Sequence, residues 1–286
     1  MFEGTATAII TPFRKDGSVD EEGLRRLVDF QEENGVTTLV PCGSTGESAT
    51  LSHEEHIKVI SIVIDQAKKA RVLAGAGSNC TAEALMLSKT AADLGADGIL
   101  SISPYYNKPT QEGLYRHFSK IADDCGLPVI LYNVPGRTGI PIQAETIARL
   151  AKNPNVAAVK EAGGSVERVS EILNICDITV MSGDDSLTLP MMSVGAKGVI
   201  SVASNIYPAE LKRFVDLCAA GKFTEALPIH RRFYDLFKHL FIESNPIPVK
   251  AAMAMLGMIE EEYRLPLCPM NPKNREILKA TIDALK

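Results

Sequence analysis

A lysine, a tyrosine, a pair of hydroxyls and an arginine in this chain could together activate a carbonyl compound. Lys160 closes the apolar run Val156–Val159, with Asn153-Pro154-Asn155 before it and Gly163-Gly164 after, the pattern of a buried strand rather than a helix. Period-two alternation predicts that Lys160 shares a face with Ala158 and Val156, so small apolar residues flank its stem. A strand-end lysine ordinarily carries its ammonium into water. A desolvated one has a lowered pKa and can form a Schiff base. Tyr132 ends the run Val129–Tyr132; beside such a lysine its phenol could shuttle a proton, although any buried tyrosine needs some hydrogen-bond partner. Ser44 and Thr45, between Gly43 and Gly46, could be turn residues, or could offer hydroxyls and backbone N–H groups to an anion. Arg137, just beyond Tyr132, has the planar fork that suits a carboxylate; alone it would read as a surface arginine. The combination points to class I aldolase chemistry on a 2-oxo acid.

These groups need a frame that gathers them. β-like runs at Ala6–Phe13, Thr38–Cys42, Val72–Ala76, Gly98–Ile102, Val129–Tyr132, Val156–Lys160, Ile178–Ser182 and Val199–Val202 alternate with helix-period segments such as Glu21–Glu33, Glu54–Lys68, Ala82–Leu94 and Leu114–Asp123. Leu24, Leu27, Val28 and Gln31 carry the spacing of one buried helical stripe, and Ser52 with Glu55 reads as a capping box. Eight βα units predict an α/β fold, a (β/α)8 TIM barrel, with a doubly wound open sheet as the main competitor. After about residue 222 the β signal stops. Residues 1–222 are therefore expected to form the catalytic barrel. Residues 223–286 form a C-terminal helical region, with helices over Phe223–Ile242, Val249–Leu256 and Asn274–Leu285 punctuated by prolines. In a barrel the chemistry gathers at the carboxyl ends of the strands. Lys160 alone among the lysines ends a candidate strand, whereas Lys197 precedes one.

Composition narrows the function further. The 286 residues are 45% hydrophobic with a formal net charge of −5, which argues against nucleic-acid and polybasic membrane partners. The six cysteines are scattered without a C-x-x-C pair, as expected of reduced thiols in a cytoplasmic protein. Met1-Phe2-Glu3-Gly4 lacks the basic start and apolar core of a leader, and no run reaches the length of a membrane span. Gly75-Ala76-Gly77-Ser78-Asn79-Cys80 fails the dinucleotide fingerprint at its last position. His53 and His56 are three apart rather than the four a metalloprotease helix needs, and no histidine ends a strand, so no metal is expected. Asp184-Asp185 reads as a pair of turn formers.

Four motifs carry a resemblance over essentially the whole chain: Gly43-Ser44-Thr45-Gly46-Glu47, Tyr132 through Gly139, Val159-Lys160-Glu161-Ala162, and Ser244-Asn245-Pro246-Ile247-Pro248-Val249-Lys250. The sequence resembles the 4-hydroxy-tetrahydrodipicolinate synthase (dihydrodipicolinate synthase) family, within the class I pyruvate aldolase and N-acetylneuraminate lyase superfamily. The resemblance implies that Lys160 forms an imine with pyruvate, with no separate cofactor. The derived enamine would attack L-aspartate 4-semialdehyde, giving 4-hydroxy-tetrahydrodipicolinate, the first committed step of diaminopimelate and lysine biosynthesis. It implies Tyr132 as proton carrier, relayed by Ser44 and by Tyr106 from a neighbouring subunit of a homotetramer built as a dimer of dimers. Thr45 would hold the pyruvate carboxylate and Arg137 the semialdehyde carboxylate, with the Gly183 backbone and Ile200 lining the pocket. Ser44 stands where many family members have threonine; the hydroxyl survives, with a less fixed rotamer. The lysine-inhibited members imply an L-lysine cleft at Ser48, Ala49, His53, His56, Asn79, Glu83 and Tyr105. The competing readings are N-acetylneuraminate lyase, a 2-keto-3-deoxy-sugar-acid aldolase, and a non-catalytic 2-oxo acid sensor. Arg137 favours an acidic aldehyde over a sugar chain, and a sensor has no need of the whole relay.

Overall fold

The apolar runs close on themselves. A computed structural model describes residues 2–286; Met1, the first residue of the stretch read above for a leader, lies outside the described residues. The strands are β1 (Gly4–Thr7), β2 (Thr38–Leu39), β3 (Arg71–Gly75), β4 (Gly98–Ile102), β5 (Val129–Asn133), β6 (Val156–Glu161), β7 (Thr179–Ser182) and β8 (Gly198–Ser201). All pair in parallel and in sequence order, and β8 returns to β1 in the register Gly4↔Gly198 to Thr7↔Ser201. That closure excludes the doubly wound sheet and leaves a (β/α)8 barrel. At the seam, a Cβ on Gly198 would lie 2.1 Å from the Gly4 carbonyl oxygen, so only glycine lets the first and last strands approach.

The helices interleaved with the strands are α1 (Glu21–Glu33), α2 (His53–Gln66), α3 (Thr81–Asp93), α4 (Gln111–Asp124), α5 (Pro135–Thr138), α6 (Ala144–Leu150), α7 (Glu167–Ile175), α8 (Thr188–Ser193) and α9 (Pro208–Ala219). After the barrel come α10 (Phe223–His239), α11 (Ile247–Met255) and α12 (Pro272–Leu285). Pro248 and Pro272 sit in the first turns of α11 and α12, where a missing N–H leaves no helical bond unmade. The α1 stripe buries Leu24, Leu27, Val28 and Gln31. Gln31 accepts from the Thr7 hydroxyl (2.7 Å) and donates to the Ser204 carbonyl (3.0 Å), tying the helix to the strand ends. The α2 capping box forms as its sequence implies, with Ser52 and Glu55 bonding each other's backbone N–H. Among the described residues, no helix is long and apolar enough to cross a membrane.

Strand alternation divides the core in two. Leu39, Val72, Ile99, Leu131, Val159, Val180 and Val199 face the helices, whereas Ala6, Val40, Leu73, Leu100, Ile130, Tyr132, Ala158, Met181 and Ile200 fill the barrel. Three sequence expectations need correction, one of them β2, which is Thr38–Leu39 and not Thr38–Cys42. The first strand is Gly4–Thr7, not Ala6–Phe13. Ile9, Ile10 and Phe13 are buried under the helices, but the chain has left the sheet, and Phe13 bridges antiparallel to Val19. Val156 does not share the Lys160 face. The β5–β6 register slips between Val129 and Ile130, placing Val156 in the outer layer and Ala158 in the barrel; one extra residue in a strand reverses every side chain before it.

Candidate active site

Lys160 and Tyr132 are held by the sheet. They are direct partners across β5 and β6, and Lys160 pairs on its other side with Met181 of β7. Lys160 is only 5% exposed, and its Nζ lies 4.3 Å from the centroid of the Tyr132 ring. Ala158, Met181 and Ile200 share the barrel interior beneath them. A Cβ on Gly183 would come within 3.0 Å of the Lys160 Cε, so that glycine keeps room beside the lysine stem. Glu161, the next residue, is fully buried on the outward face. Its carboxylate accepts two bonds from the Asn133 amide (2.9 Å each) and one from the Gly163 N–H (2.7 Å). Burial pushes its pKa up against those hydrogen bonds. Locking the outward side of β6 to β5 leaves Lys160 one direction, into the barrel.

Ser44 and Thr45 sit on a loop, and other means hold it. Cys42 and Glu47 both adopt left-handed φ (55° and 54°), so the chain after β2 doubles back sharply. Gly46 packs so closely that a Cβ would meet the Cys42 nitrogen at 2.9 Å, and its carbonyl accepts from the Thr11 hydroxyl (2.7 Å). Thr45 is buried, and its Oγ1 accepts from the Asn245 amide at 2.9 Å. Glu47 turns inward to Lys250 (2.5 Å), both side chains wholly buried. Arg137, on α5, is exposed and donates to the Asn245 backbone carbonyl (2.9 Å). Arg264 forks onto Glu55 (2.6 Å on each oxygen) and also donates to the Thr50 and Gly17 carbonyls. The guanidinium beside Glu55 holds its carboxyl down at about 2.

One cavity of about 590 Å³ opens over both sets. Ser44, Tyr132, Arg137 and Asn245 line it, as do Ser48, Ala49, His53, His56, Glu83 and Tyr105. Several of the catalytic and lysine-cleft candidates therefore share a space, whereas Lys160, Thr45, Gly183 and Ile200 are not among its lining residues. Asn79 and Tyr106 stand outside the lining; Asn79 accepts from Asn107 through its carbonyl (2.9 Å), and Tyr106 is 90% exposed with φ at 70°. Glu83 is already engaged, by Ser78 and by His53 Nε2 (2.5 Å), contacts that hold its carboxyl below the usual range. His56 sets Nε2 2.7 Å from the Gly75 carbonyl, and burial lowers its pKa. Asp184 forms the expected turn, accepting from the Ser186 N–H (2.9 Å). Asp185 instead is buried and accepts from the Val202 and Ala203 N–H groups (3.0 and 2.9 Å), pinning the loop after β7 to the end of β8. Glu47, Glu161, Asn245 and Lys250 carry no role that the sequence motifs assign. Lys250 had a visible signal, a single charge inside the otherwise apolar Ile247–Met253.

Comparison with known proteins points to one family. Residues 1–285 match the model of the dihydrodipicolinate synthetase family. A 4-hydroxy-tetrahydrodipicolinate synthase of Geotalea uraniireducens is 54% identical over 283 residues, 98% of this chain and 97% of the relative. The chloride-inhibited dihydrodipicolinate synthase of Acinetobacter baumannii, complexed with pyruvate, superposes with a TM-score of 0.98 at 43% identity, covering 100% of this chain and 99% of that one. The synthase of Cyanidioschyzon merolae with lysine bound superposes at 0.96 and 42% identity, covering 99% and 98%.

Proposed function

The chain belongs to the dihydrodipicolinate synthetase family, and we propose that Lys160 is the amine through which it works. The enzyme is a class I Schiff-base lyase that condenses pyruvate with L-aspartate 4-semialdehyde, without an external cofactor. In our reading the Lys160 Nζ attacks the pyruvate keto carbon and water leaves, giving the imine. Thr45 holds the pyruvate carboxylate through its hydroxyl and N–H. Tyr132 takes a proton from the pyruvate methyl to form the enamine. The enamine carbon then attacks the aldehyde, whose oxygen is protonated through Tyr132, with Ser44 and Tyr106 passing protons to and from the phenol. The substrate amino group closes on the imine carbon and expels Lys160. Arg137 receives the semialdehyde carboxylate, and Gly183 and Ile200 bound the pocket.

The observation that carries this reading is the direct pairing of Tyr132 with a buried Lys160. Borohydride reduction in the presence of pyruvate, read by intact mass and peptide mapping, should give one adduct, on Lys160. No adduct, or one elsewhere, overturns the mechanism. A panel of aspartate semialdehyde, N-acetylmannosamine and sugar aldehydes should show preference for the first.

Two further assignments belong to the same reading. L-lysine is a feedback inhibitor bound by Ser48, Ala49, His53, His56, Asn79, Glu83 and Tyr105. The support is that most of these residues line the same cavity as Tyr132, and a lysine-bound relative shares the fold. Activity that stays flat across millimolar lysine would sink it. The chain works as a cytoplasmic homotetramer, a dimer of dimers, in which Tyr106 enters a neighbouring subunit's site; its 90% exposure supports this. A fully active monomer in sedimentation at assay concentration would contradict it.

A further inference from the structure

Both proposed carboxylate-binding groups are held by one residue from outside the barrel. Asn245 donates its amide N–H to the Thr45 hydroxyl oxygen and accepts from Arg137 at its backbone carbonyl, each at 2.9 Å. It lies between α10 and α11, about 200 residues from Thr45. We propose that Asn245 is a positioning residue: its side chain turns Thr45 into a dedicated hydrogen-bond donor for the pyruvate carboxylate, and its backbone independently sets Arg137. This rests on the assignment of Thr45 and Arg137 made above.

A hydroxyl has one proton to give and two lone pairs that accept. With the Asn245 amide on one lone pair, and no acceptor among the described residues taking the proton, the Thr45 proton is left for a ligand. Thr45 and Asn245 are 4% and 6% exposed, so bulk water has little access to turn the hydroxyl around. Asn245 is itself braced. Two residues on, α11 begins and carries Lys250, whose ammonium meets Glu47, two residues past Thr45, and lies 4.2 Å from the Phe13 ring centroid. Thr45, Glu47, Lys250 and Asn245 thus form a closed circuit of two short chain segments and two side-chain contacts. Side chain and backbone of Asn245 do different things, so they can be separated by mutation.

Asn245→Ala removes the amide and keeps the carbonyl. Steady-state kinetics should show KM for pyruvate rising about tenfold, the size of one buried hydrogen bond, with KM for the semialdehyde within about twofold. Asn245→Asp, nearly isosteric, offers only an acceptor; it takes the Thr45 proton and faces the substrate with a charge, so pyruvate KM should rise about a hundredfold. In a Thr45→Val background, Asn245→Ala should add less than about twofold to pyruvate KM. Equal increases in both KM values, full additivity with Thr45→Val, or an unchanged pyruvate KM in Asn245→Asp would each overturn the proposal. Should the alanine variant fail to fold, the aspartate variant decides alone. Borohydride trapping keeps the two levels apart. A wild-type protein that forms no Lys160 adduct defeats the functional reading. An adduct that forms normally, with additive mutants, defeats only the role of Asn245.

Discussion

The two halves of the site are built by different physics. Lys160 and Tyr132 are neighbours because β5 and β6 are neighbours, and backbone ladder bonds fix them whatever the adjoining side chains are. Ser44 and Thr45 stand on a loop and Arg137 on the one-turn helix α5 that follows β5, and side chains and carbonyls from the far end of the chain hold these segments: Asn245, Lys250 and Arg264. On the proposed roles, the amine and phenol sit on the rigid element, whereas the relay hydroxyl of Ser44 and the carboxylate-binding groups sit on segments that side-chain changes can re-aim. Chemistry in the strand half should tolerate changes nearby but not loss of its own groups. Recognition in the loop half should be sensitive to residues that never touch substrate.

The sharpest test of the strand half is Lys160→Ala. It should remove the pyruvate adduct and lower kcat at least about a thousandfold, while thermal unfolding shows an intact fold, because the ladder does not depend on the ammonium. Tyr132→Phe should lower kcat by roughly a thousandfold, within the range of lost acid–base catalysis, with pyruvate affinity little changed; equal loss of both would argue against proton transfer. In the loop half, Lys250→Met strands the Glu47 carboxylate in the core. It should cost about 3 kcal/mol of stability by denaturant titration and raise KM for both substrates. Adding Glu47→Gln should return most of that stability, since two neutral groups replace one unpaired charge. Loss of adduct formation in Lys250→Met at saturating pyruvate would break the proposed division between halves.

Acid gives the smallest effect. Glu55 is held at about 2 in the folded protein against an ordinary 4.5 by Arg264. A depressed folded pKa means its stabilisation is full above about 4.5 and is lost as pH falls toward 2. Because the pair is partly exposed (32% and 18%), solvent screening reduces it to about 1 kcal/mol. Glu55→Gln should therefore destabilise by about that amount at pH 7 and flatten the acid limb of the stability curve. An unchanged limb would show that Arg264 does not brace the loop.

The same division governs what the sequence made legible. The barrel and its strand-end lysine and tyrosine were readable because period-two patterns and strand order are local and repetitive. The misplacement of Val156 came from a bulge, which leaves no mark in composition. The apolar run Ala6–Phe13 outlasts its strand because Ile9, Ile10 and Phe13 are apolar for a different reason, burial beneath helices. Asn245, Lys250 and Glu47 were unassigned because a contact across 200 residues has no period, and a lysine inside a helix reads by default as solvated. Glu161 was left without a role beside Lys160, although both side chains are buried.

The circuit through Asn245 and Lys250 also sets an order of events during synthesis. The last strand ends at Ser201, so the amine, the phenol and all eight strands emerge from the ribosome before residue 245 does. A nascent chain at that stage has the proposed nucleophile but lacks the Asn245 contact that fixes the Thr45 hydroxyl. On the proposed roles, the grip on the keto acid is completed only once the segment carrying Asn245 has been made.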